Sequence, residues 1–167
     1  MIPLLLQRAK KAADCESLPP AGLPVDVDAT LLPTDVVEFY SRCGGLELFK
    51  GSSYSVEIVR PSDFVLSNPE ILPAGWERDV LPDDISNDWF VIGRSGEEQY
   101  FSIDLASDRV GRCYDSFWET HASPGESPIV ARSFTEFLDS LLKAEGQYWY
   151  WLAEGFSSLG DAYDDVG

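Results

Sequence analysis

The residues best placed to do chemistry in this chain are Asp26-Val27-Asp28-Ala29-Thr30. Two carboxylates two positions apart, followed by a threonine, could act as nucleophile and general acid in phosphoryl transfer. Chemistry of that kind needs the pair held on a rigid element such as the end of a buried strand. The preceding residues are Pro19-Pro20-Ala21-Gly22-Leu23-Pro24-Val25, and proline removes ladder donors, so no central strand ends there. The aspartates read as turn and capping carboxylates. His121 is the only histidine. It lies in Thr120-His121-Ala122-Ser123-Pro124, away from any nucleophile elbow, and reads as a solvated loop histidine. Gly93-Arg94-Ser95-Gly96 lacks the spacing of a phosphate loop, and a strand follows it rather than a helix, so it reads as a hairpin turn. Asp79, Asp83, Asp84 and Asp88 lack the spacing of a calcium loop and read as a solvated acidic segment. The expectation is a protein without a catalytic centre, cofactor or metal, with a hydrolase as the remote alternative.

Charge points the other way, toward binding, with solubility and salt tolerance as the alternative use of an acidic surface. The 167 residues carry a net charge of −17. Such a surface repels nucleic acid and anionic membranes and attracts basic partners. The acids are unevenly placed. Residues 61–128 hold fourteen against four arginines, and residues 144–167 hold five with no lysine or arginine, whereas Arg8, Lys10 and Lys11 make the N-terminal segment basic. With 44% hydrophobic and 13% aromatic residues, the chain is too apolar to stay disordered. Cys15, Cys43 and Cys113 are odd in number and widely spaced. They form neither a disulfide framework nor a C-x-x-C pair and read as free buried thiols. The apolar Ile2–Leu6 run precedes its basic residues, the reverse of a signal peptide, and no stretch is long enough to span a bilayer. The expected location is cytoplasmic.

The elements that must carry these groups follow from periodicity and caps. Residues 2–16 predict a helix, and 17–33, with four prolines, a surface connector. A second helix is predicted from Pro33 to Cys43 and ends at Gly44-Gly45. Leu46–Phe49 and Tyr54–Val59 alternate like strands. Residues 61–86 read as irregular, with one helical turn near Asp63–Leu66. Trp89–Ile92, Gln99–Leu105 and Val110–Phe117 predict an antiparallel meander with one face free for helices. Residues 120–130 read as a polar loop. Ser133-Phe134-Thr135-Glu136 is a capping box, and the helix it starts is expected to continue past Gly146 through Trp149 and Leu152. Helices segregated from strands in this order give an α+β fold with a central antiparallel sheet flanked by helices.

In this order the chain resembles the SUKH superfamily, which includes yeast cell-wall-assembly regulators and bacterial toxin-immunity proteins. The resemblance rests on four segments. These are Leu32-Pro33-x-Asp35-Val36-x-Glu38-Phe39-Tyr40 leading to Gly44-Gly45; Val91-Ile92-Gly93, then Gly96 and Tyr100-Phe101-x-Ile103-Asp104-Leu105; Gly111 and Tyr114; and Ala131-x-Ser133-Phe134-x-Glu136-Phe137-Leu138. Cys43 stands where an asparagine is usual, and Glu97-Glu98 occupy a turn that is often glycine-rich. The resemblance implies one SUKH-like domain over 1–167. Its core would span about 30–142, preceded by a helix and proline-rich connector at 1–29 and followed by an aromatic, acidic tail at 143–167. It also implies a binding role: an immunity protein that neutralises a toxin, often a nuclease, or a regulatory and scaffolding module.

The partner expected from charge is a basic protein, such as a toxin domain. Asp79, Asp83, Asp84, Asp88, Glu97 and Glu98 are the expected contacts, gathered at strand ends. Tyr148, Tyr150 and Trp151 cannot all point inward with Trp149; packing within the chain is one reading, and Trp151 as an apolar anchor for a partner is the other. A monomer or weak homodimer is expected.

Overall fold

A computed structural model describes residues 1–166, the Glu77 side chain apart. Seven antiparallel strands form a single meander in chain order: β1 (Glu16–Ser17), β2 (Leu46–Leu48), β3 (Val56–Ile58), β4 (Trp89–Ser95), β5 (Gln99–Asp104), β6 (Cys113–Asp115) and β7 (Ile129–Ala131). Helices α1 (Ile2–Lys11), α2 (Thr34–Arg42) and α4 (Phe134–Ala144) pack on one face, and the short α3 (Ser67–Ile71) precedes β4.

Side-chain alternation explains the two-sided sheet. In the β4–β5 register Phe90 pairs with Ile103 and Trp89 with Asp104, and in β5–β6 Cys113 pairs with Ile103. Phe90, Ile103 and Cys113 join the large core beneath the helices, with Phe39, Tyr40, Phe101, Phe134, Phe137 and Leu138. Each such side chain contributes about 1.5–3 kcal/mol when fully buried. Trp89 and Tyr114 point to the opposite face and form a second, smaller core with Ile85, Ile129 and Ala162. The segments around 85–88 and 117–127 and the C-terminal tail cover it, with Tyr163 packed alongside.

Local signals account for the helix ends. Ser133 Oγ accepts the Glu136 N–H, while the Glu136 carboxylate reaches the Arg132 N–H, one residue earlier than a reciprocal box would place it. Asp35 accepts both the N–H and hydroxyl of Thr135, joining the starts of α2 and α4. At the end of α2 a glycine is required by space: a Cβ on Gly44 would sit 2.1 Å from the Pro19 carbonyl oxygen. The connector is thereby held against the helix end.

Several predicted boundaries move. The first helix stops at Lys11, and the following residues turn to make β1. Gly93 and Arg94 are strand residues rather than a turn; the turn is Gly96–Glu98, with Gly96 at φ +62°. Strand β6 shrinks to three residues, because Gly111 (φ +89°) lies in the turn before it. The loop 120–130 yields β7 at its end, and 61–86 carries α3 at 67–71. Helix α4 does not pass Gly146. Glu145 takes a left-handed conformation, and Gly146 lies against Phe49, where a Cβ would clash at 2.5 Å.

Candidate functional site

In the Asp26–Thr30 segment Asp28 is a capping carboxylate, in line with the reading of these aspartates from sequence. Asp28 accepts the N–H and hydroxyl of Thr30 at 2.9 and 2.8 Å and starts the 3-10 turn Ala29–Leu31. No strand leads into it, and neighbouring Val25 and Asp26 are exposed. Among the described residues no group of three or more His, Cys, Asp or Glu could hold a metal ion.

Two expectations about single residues are corrected. His121 is buried, 4% exposed. The loop around it folds back across the second sheet face and sets its ring edge-on to Trp89, 5.7 Å between centroids. Its surroundings fix the tautomer. The Asn68 amide nitrogen donates to Ser86 Oγ and Asn87 Oδ1, so the Asn68 oxygen faces His121 Nε2 at 2.8 Å and Nε2 must carry the proton. Nδ1 is then an acceptor, and it is the buried side-chain polar atom left without a partner among the described residues. Burial pushes the imidazole pKa down to about 4, against the pull of Asp84. Trp151 is likewise no surface anchor: it is 7% exposed. Its indole N–H donates to Asp115 Oδ2 at 3.0 Å, and its ring stacks on Trp149 and meets Phe101 edge-on. The early end of α4 lets the chain return over the sheet and bury it.

The buried carboxylate Asp104 is structural in the same sense. It is fully buried and accepts from Trp89 Nε1, Tyr114 OH, Arg109 Nε and the Ala106 N–H, all within 3.1 Å. Burial pushes its carboxyl above the usual range while these donors pull it down. Three of these donors converge on Oδ2 and one on Oδ1, and burial closes the group to solvent.

The expected acidic contacts do not form one patch. Asp79, Asp83, Asp84 and Asp88 lie in the segment entering β4, and Glu97 and Glu98 in the turn leaving it. The seven residues of β4 separate the two groups by about 20 Å. Nor are all six free. Asp84 accepts from Ser86 N–H, Ser86 Oγ and Tyr163 OH, and Asp88 lies 3.8 Å from Arg109.

Each group borders its own groove. Glu97 and Glu98 flank one of about 490 Å³ with Phe117 and Trp149. Asp79 and Asp84 flank another of about 250 Å³, lined by Leu72, Trp76, Val80, Leu81, His121 and Ala122. The second has the anatomy of an interface: Trp76 and Leu81 are 60% and 66% exposed, in a rim of acids. Proline punctuation hid Trp76 from sequence reasoning; a lone tryptophan in a polar irregular segment was the available signal.

A third acidic feature emerges from strand register. Glu16, Glu47 and Glu57 sit directly opposite one another across β1, β2 and β3, and Arg94 continues the row. Like charges opposite each other destabilise a sheet. Lys50 bridges Glu16 and Glu47, and Arg94 pairs with Glu57 and Asp63. Glu47 and Glu57 each stand between apolar neighbours, an alternation that placed them on the helix-free face.

Residues 29–140, from the 3-10 turn before α2 to most of α4, match the SMI1 / KNR4 family (SUKH-1). The chain belongs to this family. It is also similar, at 39% identity over 165 residues, to the immunity protein YokJ of Bacillus subtilis (strain 168); the alignment covers 99% of this chain and 97% of that protein. Family membership and this relative both speak for a non-catalytic protein. Among the described residues, no helix is long and apolar enough to cross a membrane.

Proposed function

We propose that this SUKH-1 protein is an immunity protein that binds a toxin and neutralises it by covering its working surface. The observation that carries the reading is full-length similarity to a protein named for immunity. Charge supplies the mechanism. A net −17 favours a basic partner, and a nuclease-type toxin carries its basic surface in the channel that admits nucleic acid. The apolar Trp76 and Leu81 with Asp79 and Asp83 are the favoured contact, because exposed aromatic surface within an acidic rim supplies both affinity and steering. Three free cysteines suit action in the reducing cytoplasm, as a monomer or weak homodimer.

The test is co-purification with the product of an adjacent toxin-like gene, together with rescue of cells expressing that toxin. The expected result is a complex whose association slows steeply with added salt. A partner that is not a toxin, with no protection of cells, would assign the protein to the regulatory side of its family. Binding insensitive to salt would reject the charge mechanism and leave apolar anchoring.

A further inference from the structure

We propose that the hollow between the 72–84 segment and His121 receives an arginine side chain from the partner. This rests on the binding role argued above and names the chemistry of one contact within it. Four independent features converge there. The hollow, about 250 Å³, holds the volume of roughly eight waters, enough for one long side chain. Its walls, Leu72, Trp76, Val80 and Leu81, are apolar and suit the aliphatic stem and flat face of a guanidinium, which stacks on tryptophan. Asp79 and Asp84 on its lining supply negative charge.

The fourth feature is the buried His121. Nε2 is committed as a donor to Asn68, so Nδ1 offers only a lone pair and lacks a donor. A buried acceptor without a partner carries a desolvation penalty, and a small shift of the ring would let an incoming N–H reach Nδ1 and relieve it. An acidic group would meet the charge of Asp79 and Asp84 and find the Trp76 indole as the one side-chain N–H on the lining besides the committed Nε2 of His121. A lysine could supply charge but not a planar set of donors that reaches a carboxylate and an imidazole together. The loop is also shaped locally for this: Ala122, next to His121, holds a left-handed φ of +58° although it is not glycine, a conformation that costs free energy and often accompanies binding sites.

The test uses the full chain and two short capped peptides, Gly-Ser-Arg-Ser-Gly and its citrulline counterpart, which has the same shape without the charge. NMR reads the Trp76 indole N–H and the His121 ring nitrogens. The expected result is saturable shifts of both groups with the arginine peptide, at a Kd on the order of millimolar, and binding at least about tenfold weaker with citrulline. The variants Trp76→Ala and Asp79→Asn, both at exposed positions and checked for parental thermal unfolding, should each weaken the arginine response read at His121 by about fivefold or more. Equal response to both peptides, shifts confined to the Glu97–Glu98 turn, or no saturable shift at all would overturn the proposal. The outcomes separate from those of the toxin test. Toxin binding that is unchanged in both variants removes the arginine contact and keeps the immunity role. Arginine in the hollow without any toxin partner does the opposite.

Discussion

The buried, neutral His121 gives a stability signature that can be worked out in advance. Its pKa is about 4 in the folded chain against an ordinary 6.5. Above pH 6.5 the ring is neutral in both states and costs nothing. As pH falls below 6.5 the unfolded chain takes up a proton that the folded chain refuses, so stability declines until the folded pKa is reached near pH 4. Between pH 7.5 and 5.0 the loss from this one group is about 2 kcal/mol, from roughly 1.4 kcal/mol per pH unit over the window in which only the unfolded state titrates. Working at or above pH 5.0 keeps the chain clear of its isoelectric point near 4.1. The perturbation is His121→Gln, whose amide can still donate to Asn68 but does not titrate. Urea unfolding followed by tryptophan fluorescence at pH 7.5, 6.0 and 5.0 gives the two curves. The variant should lose about 2 kcal/mol less than the parent over this range, whatever constant offset it carries. Asp104, whose raised carboxyl pKa acts in the opposite sense, contributes equally to both and cancels. Parallel curves would refute the buried neutral imidazole and with it the tautomer on which the open Nδ1 depends.

Removing the Asp104 hub by Asp104→Ala strands the Trp89 indole N–H, the Tyr114 hydroxyl and Arg109 together; denaturant titration should show a loss of about 3–5 kcal/mol. Gly44→Ala should cost about 1–3 kcal/mol because the new methyl meets the Pro19 backbone, while Gly155→Ala, with nothing within 4 Å, should stay within about 0.5 kcal/mol by thermal unfolding. The two acidic ends can be told apart by stopped-flow association with the toxin. Neutralising Asp79 and Asp83 together should slow association several-fold and speed dissociation, whereas neutralising Glu97 and Glu98 should change only association, and only at low salt; the reverse pattern would move the interface to the groove by Trp149.

Elements built from local signals were legible. The apolar faces of α2 and α4, the Ser133 cap and the β4–β5 pair lie where periodicity and capping put them, because each is stabilised by neighbours within a few residues. The short edge strands were not. Glu16–Ser17 and Ile129–Ala131 have no alternation long enough to read and exist because a partner strand is already in place. The site residues divide in the same way. Asp79, Asp83, Glu97 and Glu98 were expected to be exposed and are, since charge keeps a side chain in water wherever the chain goes. They lie at strand ends, but at opposite ends of β4, because each loop joins a different end.

By itself the sequence determined the family, the segregation of helices from strands and the acidic character of the surface, all of which follow from residue types and near-neighbour spacing. Tertiary structure alone decided that the sole histidine is buried, that Trp151 is core and Trp76 surface, and that the acids part to opposite ends of a strand. Those outcomes hang on where irregular segments return across the sheet. Such segments are held by contacts between residues far apart in the chain, such as His121 with Asn68 and Tyr163 with Asp84, and no local pattern encodes them.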